Sequence, residues 1–200
     1  MGNRVELSGI VTEKPKFKFL KRDEGAFFEF FISVERDSGT KDVIPVLVSE
    51  KQEKTIKTDD YLNVVGAYQS YNKDGHLLLS VFAEDIKQAN DFKENQIRLS
   101  NAVICKEPVY RITPRGRYIT ELLVAIPREN RKSDYIPCLS WGENAFIARE
   151  LKVGDQINII GRIQSREYLK KLNDQTIINK TAYEVSIRDL EVISNDESED

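Results

Sequence analysis

The chain has 200 residues, of which 40% are hydrophobic and 32% are charged, and its formal net charge is −3 at pH 7. This composition is too apolar for a wholly disordered chain, and no stretch approaches the roughly 18 apolar residues that a membrane helix needs. Charges occur throughout the first 20 residues in place of a signal-peptide core, so we expect a soluble, cytoplasmic protein without a membrane segment.

The residue types that carry most enzyme and metal chemistry are scarce. Cys105 and Cys138 lack the CxxC spacing of a zinc site, and His76 is the only histidine. The sequence contains no P-loop and no GxSxG motif. Paired carboxylates such as Asp59-Asp60 lie in polar, loop-like segments, where solvated surface charge is the default interpretation. We therefore predict no catalytic site, no metal and no cofactor.

Charge is distributed unevenly along the chain. Residues 1–94 hold 14 basic and 17 acidic side chains, whereas residues 95–193 hold 16 basic and 12 acidic side chains. Affinity for a phosphate backbone comes from Lys and Arg that displace counterions. The second half is therefore the predicted location of any nucleic-acid surface. Residues 194–200 contain four acidic side chains and are predicted to form a disordered tail.

The two halves repeat one pattern. At an offset of 92 residues, NRVELS at 3–8 corresponds to NQIRLS at 95–100, and DVIP at 42–45 corresponds to DYIP at 134–137. After a small insertion the offset becomes 95, where Gly66, Gln69 and Ser70 match Gly161, Gln164 and Ser165. Because order and spacing persist over the whole unit, we predict two tandem domains, at residues 1–90 and 95–193, with a short polar linker.

Predicted elements in the first half are β-strands. Alternation of apolar and polar residues, with enrichment in Val, Ile, Phe and Tyr, predicts strands at 5–10, 28–34, 44–48, 61–68 and 77–86. Asn72-Lys73-Asp74-Gly75 predicts a tight turn between the last two strands, because Gly can adopt the positive φ that a hairpin needs.

The second half repeats this plan. Its predicted strands are 97–104, 118–126, 136–141, 156–165 and 181–193, and residues 143–151 form a short helical pattern that Gly154 ends. Five strands with a helix after the third describe the oligonucleotide-binding (OB) barrel. We therefore predict an all-β protein of two tandem OB-fold, five-stranded Greek-key barrels with short helices.

Several motifs of the second half occur together in the order and spacing of one known family. They are NxIxL at 95–99, PVYR at 108–111, TPxG at 113–116, DYIPCxxWG at 134–142 and GDxIxIxGRxQSRxY at 154–168. With these motifs, the second half resembles the bacterial single-stranded DNA-binding protein family over nearly all of its length. The first half matches more loosely, mainly through its repeat relation to the second.

The resemblance implies binding of single-stranded DNA without sequence preference, in replication, recombination or repair. Such binding needs a basic groove for the backbone and aromatic faces on which bases stack. Tyr135, Trp141 and Tyr168 fall where the resemblance implies stacking aromatics, and the first two, six residues apart in a strand, should share one face. The candidate phosphate contacts are Arg98, Arg111, Arg115, Arg117, Arg128, Arg162 and Arg166. Each of these arginines can also be read as a solvated surface charge or an ion-pair partner.

The first half departs from this pattern. Val43 and Ser49 occupy the positions equivalent to the first two aromatics, so two stacking platforms are missing. Tyr68 and Tyr71 in the predicted hairpin remain candidate contacts. We expect weaker binding by the first barrel, which would instead mediate dimerisation.

The implied partners follow from the resemblance. Single-barrel family members commonly work as four-barrel assemblies, so a doubled unit implies a homodimer. In family members an acidic tail with a hydrophobic tip recruits replication and repair proteins; residues 194–200 lack that tip, which leaves a solubilising end and a modified partner signal both open. A protein-interaction adaptor of the primosome type with weak nucleic-acid binding is the alternative function, and RNA is the alternative polymer.

Overall fold

The computed structural model of the chain describes residues 2–22, 24–73, 76–91, 95–129, 131–171 and 177–193. The predicted acidic tail and two residues of the predicted turn, Asp74 and Gly75, lie outside these ranges. Twelve strands and two short helices make up the described residues. The longer helix has six residues, so no helix in this part of the chain has the length or apolar character needed to cross a membrane.

Strands and one helix of the first repeat form a closed barrel. Its elements are β1 (Asn3–Val11), β2 (Lys16–Lys21), β3 (Gly25–Glu35), β4 (Lys41–Ser49), α1 (Glu50–Glu53), β5 (Tyr61–Lys73) and β6 (His76–Gln88). The strand order is β2-β3-β4-β6-β5-β1, and β1 also pairs with β3. That last pairing closes five strands into a barrel, with β2 added at the side of β3. The β4–β6 pair is parallel and the other pairs with a defined register are antiparallel.

The second repeat forms the same barrel. Its elements are β7 (Gln96–Ile104), β8 (Val109–Ile112), β9 (Tyr118–Pro127), β10 (Ser133–Trp141), α2 (Glu143–Ala148), β11 (Gln156–Lys171) and β12 (Ile177–Ile193). The order β7-β11-β12-β10-β9-β8 is closed by an additional β7–β9 pairing, and β10 and β12 run parallel. The two barrels therefore share one topology, as the sequence repeat predicts.

The barrel interiors are filled by the alternating apolar residues that predict the strands. Along β9, for example, Leu122, Val124 and Ile126 are at most 4% exposed, whereas the intervening residues are half-buried. Each buried aliphatic side chain of this size contributes about 1.5–3 kcal/mol relative to an exposed one. Both barrels also have a glycine at the same place, because a Cβ on Gly66 or Gly161 would overlap a carbonyl oxygen of the crossing strand.

A buried ion pair is repeated as well. The Arg36 guanidinium donates to both carboxylate oxygens of Asp42, and Arg128 does the same to Asp134. Both aspartates are buried, with at most 2% of their surface exposed. The equivalent positions in sequence therefore carry equivalent contacts, which confirms the repeat at the level of side chains.

Contacts divide the chain into two compact units. Unit 1 contains the described residues of Met1–Arg4, Ile97–Arg162 and Val185–Asp200, and unit 2 contains those of Val5–Gln96 and Ile163–Glu184. Unit 2 thus includes the end of β11 and the start of β12, which belong to the second repeat in sequence. The predicted domain limits at residues 90 and 95 mark the repeats and stay a prediction.

Five elements differ from the predictions. The edge strands β2 and β8 were not predicted, since both are short and β2 carries three lysines in six residues. Helix α1 was also missed, because its four residues are all polar. Helix α2 ends at Ala148 and not at 151, and Leu151 lies beyond it as a buried residue, 6% exposed. Strand β6 continues to Gln88, two residues beyond its predicted end at 86.

Candidate nucleic-acid interface

The outer face of β10 carries the two aromatics predicted to lie together. Strand β10 pairs with β9 without a register shift, from Ser133↔Pro127 to Trp141↔Ile119. Side chains of a regular strand alternate, so Tyr135 and Trp141 lie on the same face, as predicted. Tyr135 is 44% exposed and Trp141 is half-buried. This face therefore offers two aromatic rings to a ligand.

An arginine lies on the same face. Directly paired residues of neighbouring strands share a face, and Arg111 on β8 pairs with Ile119, the partner of Trp141. Its Nε and Nη2 donate to Glu121 Oε1 at 2.8 and 2.7 Å, and both side chains are nearly half exposed. An ion pair this exposed contributes little stability, so a phosphate can replace Glu121 as the partner of Arg111 at small cost.

The turn between β8 and β9 presents two more arginines. The N–H groups of Thr113 and Gly116 donate to the carbonyls of Arg117 and Thr113, both at 2.8 Å, and Gly116 has the positive φ of +74° that this turn requires. Arg115 and Arg117 are exposed on this fixed backbone. Neither forms an ion pair with any residue that the structure describes, so both guanidinium groups face solvent.

The remaining candidate arginines of unit 1 differ in their surroundings. Arg98 on β7 and Arg162 on β11 are exposed. Arg128 is half-buried and its guanidinium bonds the buried Asp134. The structure therefore gives Arg128 a role in bonding Asp134 on β10, which leaves it less available to a phosphate than the exposed Arg162.

Tyr168 and Arg166 lie together near the end of β11, in unit 2. The Arg166 guanidinium carbon is 5.7 Å from the centre of the Tyr168 ring, a cation–π distance, and Tyr168 is 37% exposed. Arg166 Nε is also 3.7 Å from Glu184 Oε1 on β12. This segment combines a partly exposed ring with a positive charge.

The two tyrosines predicted in the first repeat are packed against their own barrel. Tyr68 is 0% exposed. Tyr71 is half-buried, and its ring centre is 5.6 Å from that of Phe19 and 6.2 Å from that of Phe82. Burial raises the pKa of the Tyr71 phenol. Neither ring offers an open face comparable with that of Tyr135, so neither belongs to the interface proposed below.

A further aromatic cluster was missed from the sequence. Tyr110, Tyr118 and Phe146 have ring centres 4.9–6.4 Å apart, and the Arg149 guanidinium lies over two of these rings. Tyr118 precedes Ile119, so the cluster lies on the opposite side of the strand from Trp141. Its members come from three separate elements, and no spacing in the sequence signals their contact.

The described residues contain no group of His, Cys, Asp or Glu arranged to hold a metal ion. Both cysteines are free thiols, and burial raises the pKa of Cys105, which disfavours the reactive thiolate.

Comparison with known proteins assigns the second repeat to a protein family. A model of the single-strand binding protein family matches residues 95–193. The second half of this chain belongs to that family. The matched range contains the whole of the second barrel, including the aromatic face of β10. No curated protein matches the sequence.

Solved structures extend the likeness to the whole chain. The wild-type single-stranded DNA-binding protein from Thermus aquaticus is 23% identical, with a TM-score of 0.72 over 96% of this chain and 93% of that chain. A deletion mutant of the Thermus aquaticus protein is also 23% identical, with a TM-score of 0.69 over 97% and 95% of the two chains. These similarities confirm the predicted all-β fold of two OB barrels. Proteins of the single-strand binding family are non-enzymatic DNA-binding proteins, which agrees with the prediction of no catalytic site.

Proposed function

We propose that the protein binds single-stranded DNA without sequence preference, by stacking bases on aromatic rings and neutralising phosphates with arginines. The observation that carries this proposal is the aromatic face of β10. Tyr135 and Trp141 share that face, in a barrel of the single-strand binding family.

The spacing of the two rings suits a single strand. Six residues of a regular strand separate Tyr135 from Trp141 by about 20 Å, so the rings would stack on different bases of one strand. Each stacked base contributes about 1–3 kcal/mol, and every base has a ring face, so the binding tolerates any sequence. Tyr168 beside Arg166 supplies a further stacking contact, since a guanidinium can lie over a base as well as over a ring.

Three arginines supply the electrostatic part of this binding. Arg111, Arg115 and Arg117 lie on β8 and the following turn, and all three are exposed. Each phosphate neutralised on a single strand contributes a slope of roughly −0.7 to the dependence of log affinity on log salt, so these arginines contribute about −2.

The test uses the only tryptophan of the chain as the reporter. Intrinsic fluorescence of Trp141 is recorded during titration with oligo(dT), at low and at moderate salt. Stacking on a base should quench the emission, and the added salt should weaken the binding. An unchanged signal, together with no retention of DNA in filter binding, would contradict the proposal and favour the protein-interaction adaptor. Titration with oligo(U) in parallel distinguishes DNA from RNA as the preferred polymer.

We also propose that the active form is a homodimer with four barrels, which serves DNA replication, recombination or repair. The doubled unit supports this stoichiometry, because two copies of a two-barrel chain equal four single barrels. Sedimentation equilibrium should give a mass close to twice the 23.0 kDa of the chain. A monomer at micromolar concentration would contradict the dimer and leave the DNA-binding proposal intact.

A further inference from the structure

Asp42 is a buried carboxylate that binds more than its arginine. It is 0% exposed and accepts hydrogen bonds from Arg36 Nε at 2.6 Å and Nη2 at 2.5 Å. Its Oδ1 also accepts the backbone N–H of Ser165 at 2.7 Å and the Ser165 hydroxyl at 3.3 Å. A residue of the first repeat thus holds a strand of the second repeat, inside unit 2.

The Ser165 hydroxyl is both a hydrogen-bond donor and a hydrogen-bond acceptor. The hydroxyl donates to Asp42, and it accepts the backbone N–H of Val43 at 3.1 Å. Hydrogen bonds to an ionised carboxylate are about twice as strong as those between neutral groups. The backbone of β11 is therefore fixed at this residue by three bonds to two consecutive residues of β4.

The two residues that flank Ser165 contact a residue of β12. Glu184 is 7% exposed and accepts Gln164 Nε2 at 2.9 Å, and its Oε1 lies 3.7 Å from Arg166 Nε. Both flanking residues of Ser165 are thereby tied to one buried carboxylate. The pKa of Arg36 is raised, mainly by its hydrogen bond to Asp42 and to a smaller extent by the charge of Glu184.

Fixing Ser165 restricts the residues that follow it. Arg166 is the next residue, and Tyr168 follows two positions later in the same strand, with its ring against the Arg166 guanidinium. An exposed ring that is held in place loses less conformational entropy when a base stacks on it, and it therefore binds more tightly.

We propose that Asp42 is a positioning residue for single-stranded DNA: by binding Ser165 it orients Arg166 and Tyr168 for stacking. This inference rests on the proposed function. It assigns the first repeat a contribution to binding that requires no DNA contact of its own.

The test is a double-mutant cycle between Ser165→Ala and Tyr168→Ala, read as the Kd for labelled oligo(dT) at one salt concentration. Ser165→Ala removes the hydroxyl bonds and keeps the backbone N–H bond to Asp42. We expect it to weaken binding about threefold to tenfold when Tyr168 is present. In the Tyr168→Ala background the same change should weaken binding less than about twofold, because the side chain that it positions is gone.

Two further variants serve as controls. Ser165→Thr keeps a hydroxyl and should retain the affinity of the unsubstituted chain, whereas Ser70→Ala removes the equivalent serine of the first repeat and should also leave the affinity unchanged. Equal weakening by Ser165→Ala in both backgrounds, no weakening in either, or equal weakening by Ser70→Ala would overturn the inference. If the unsubstituted chain does not bind oligo(dT), the proposed function itself is overturned. If the unsubstituted chain binds but the cycle shows one of the outcomes above, only the inference about Asp42 is overturned.

Amide hydrogen exchange without DNA gives a second measurement that a general loss of affinity does not affect. Asp42→Asn should speed exchange at residue 165, because the carboxylate that accepts its N–H becomes an uncharged amide. Exchange at the same rate as in the unsubstituted chain would overturn the inference, whatever the affinity for DNA.

Discussion

Replacing both aromatics of the β10 face tests the proposed interface most directly. The double variant Tyr135→Ala, Trp141→Ala removes two stacking platforms, each worth about 1–3 kcal/mol for a fully available ring. Tyr135 is 44% exposed and Trp141 is half-buried, so the chain itself covers part of each ring. We therefore expect the lower part of the range, a combined loss of about 2–3 kcal/mol, or roughly 30- to 150-fold in Kd.

The assay is fluorescence anisotropy of a labelled oligo(dT), since the variant has lost its tryptophan. Salt is held constant, because the electrostatic part of the affinity changes steeply with it. Thermal unfolding is followed by circular dichroism in parallel, because Trp141 is half-buried and its removal also costs packing. The expected result is a large loss of affinity in a chain that remains folded at the temperature of the binding assay.

A matched control comes from the first repeat. Phe17 is 61% exposed, more than Tyr135, and its ring packs edge-on against Phe28 outside the proposed interface. Phe17→Ala should change the Kd by less than about twofold. A similar loss of affinity in this control would show that the effect of the double variant is not specific to the β10 face. A loss below about threefold in the double variant would refute the role of that face in binding.

Three further predictions concern charge and ionisation. Arg128→Ala removes the arginine that bonds the buried Asp134 and should lower the free energy of unfolding by about 3 kcal/mol in urea denaturation; a loss below about 1 kcal/mol would contradict this structural role. Arg115→Ala should make the salt slope of oligo(dT) binding shallower by about 0.7, and an unchanged slope would remove Arg115 from the phosphate contacts. Burial raises the pKa of Tyr183 to about 12. The neutral phenol therefore stabilises the fold fully below about pH 10, and this contribution is lost as the pH rises towards 12. The difference between tyrosinate absorbance titrations of the unsubstituted chain and Tyr183→Phe should show a phenol that ionises near pH 12, and ionisation near pH 10 would contradict this burial.

Periodicity predicted the barrels well because both barrels bury one side of almost every strand. The sequence repeat then identified two copies of the same topology, and the paired Arg36–Asp42 and Arg128–Asp134 contacts follow that repeat. The missed strand β2 shows the limit of the method. Its lysines leave it largely exposed beside β3, so it lacks the buried face that makes a strand visible in sequence.

The burial of Tyr68 follows from the alternation of buried and exposed residues along its strand. Leu62 and Val64 on the same strand are buried, and Tyr68 lies in phase with them at even positions. Its placement near a predicted hairpin suggested exposure, but the strand continues past it to residue 73. The common face of Tyr135 and Trp141, by contrast, followed correctly from the same alternation.

The contacts of Ser165 with Asp42 could not be predicted from the sequence. These residues are 123 positions apart, and hydrogen bonds between distant loops and strands leave no periodic signal. The cluster of Tyr110, Tyr118 and Phe146 has the same origin, since each ring comes from a different element. Sequence patterns locate strands and faces, whereas contacts of this kind depend on how the strands are brought together.

The division of the strands between the units has a consequence for dissecting the protein. The repeats meet near residue 95, but unit 2 takes residues 163–184 from the far side of that boundary. A cut between the repeats would therefore leave Asp42 in the first fragment without its partner Ser165. It would also leave the end of β11 and the start of β12 in the second fragment without their contacts to the first repeat. Experiments that separate the two repeats will lower the stability of both fragments, so point substitutions in the full chain are the sounder way to assign the contribution of each repeat.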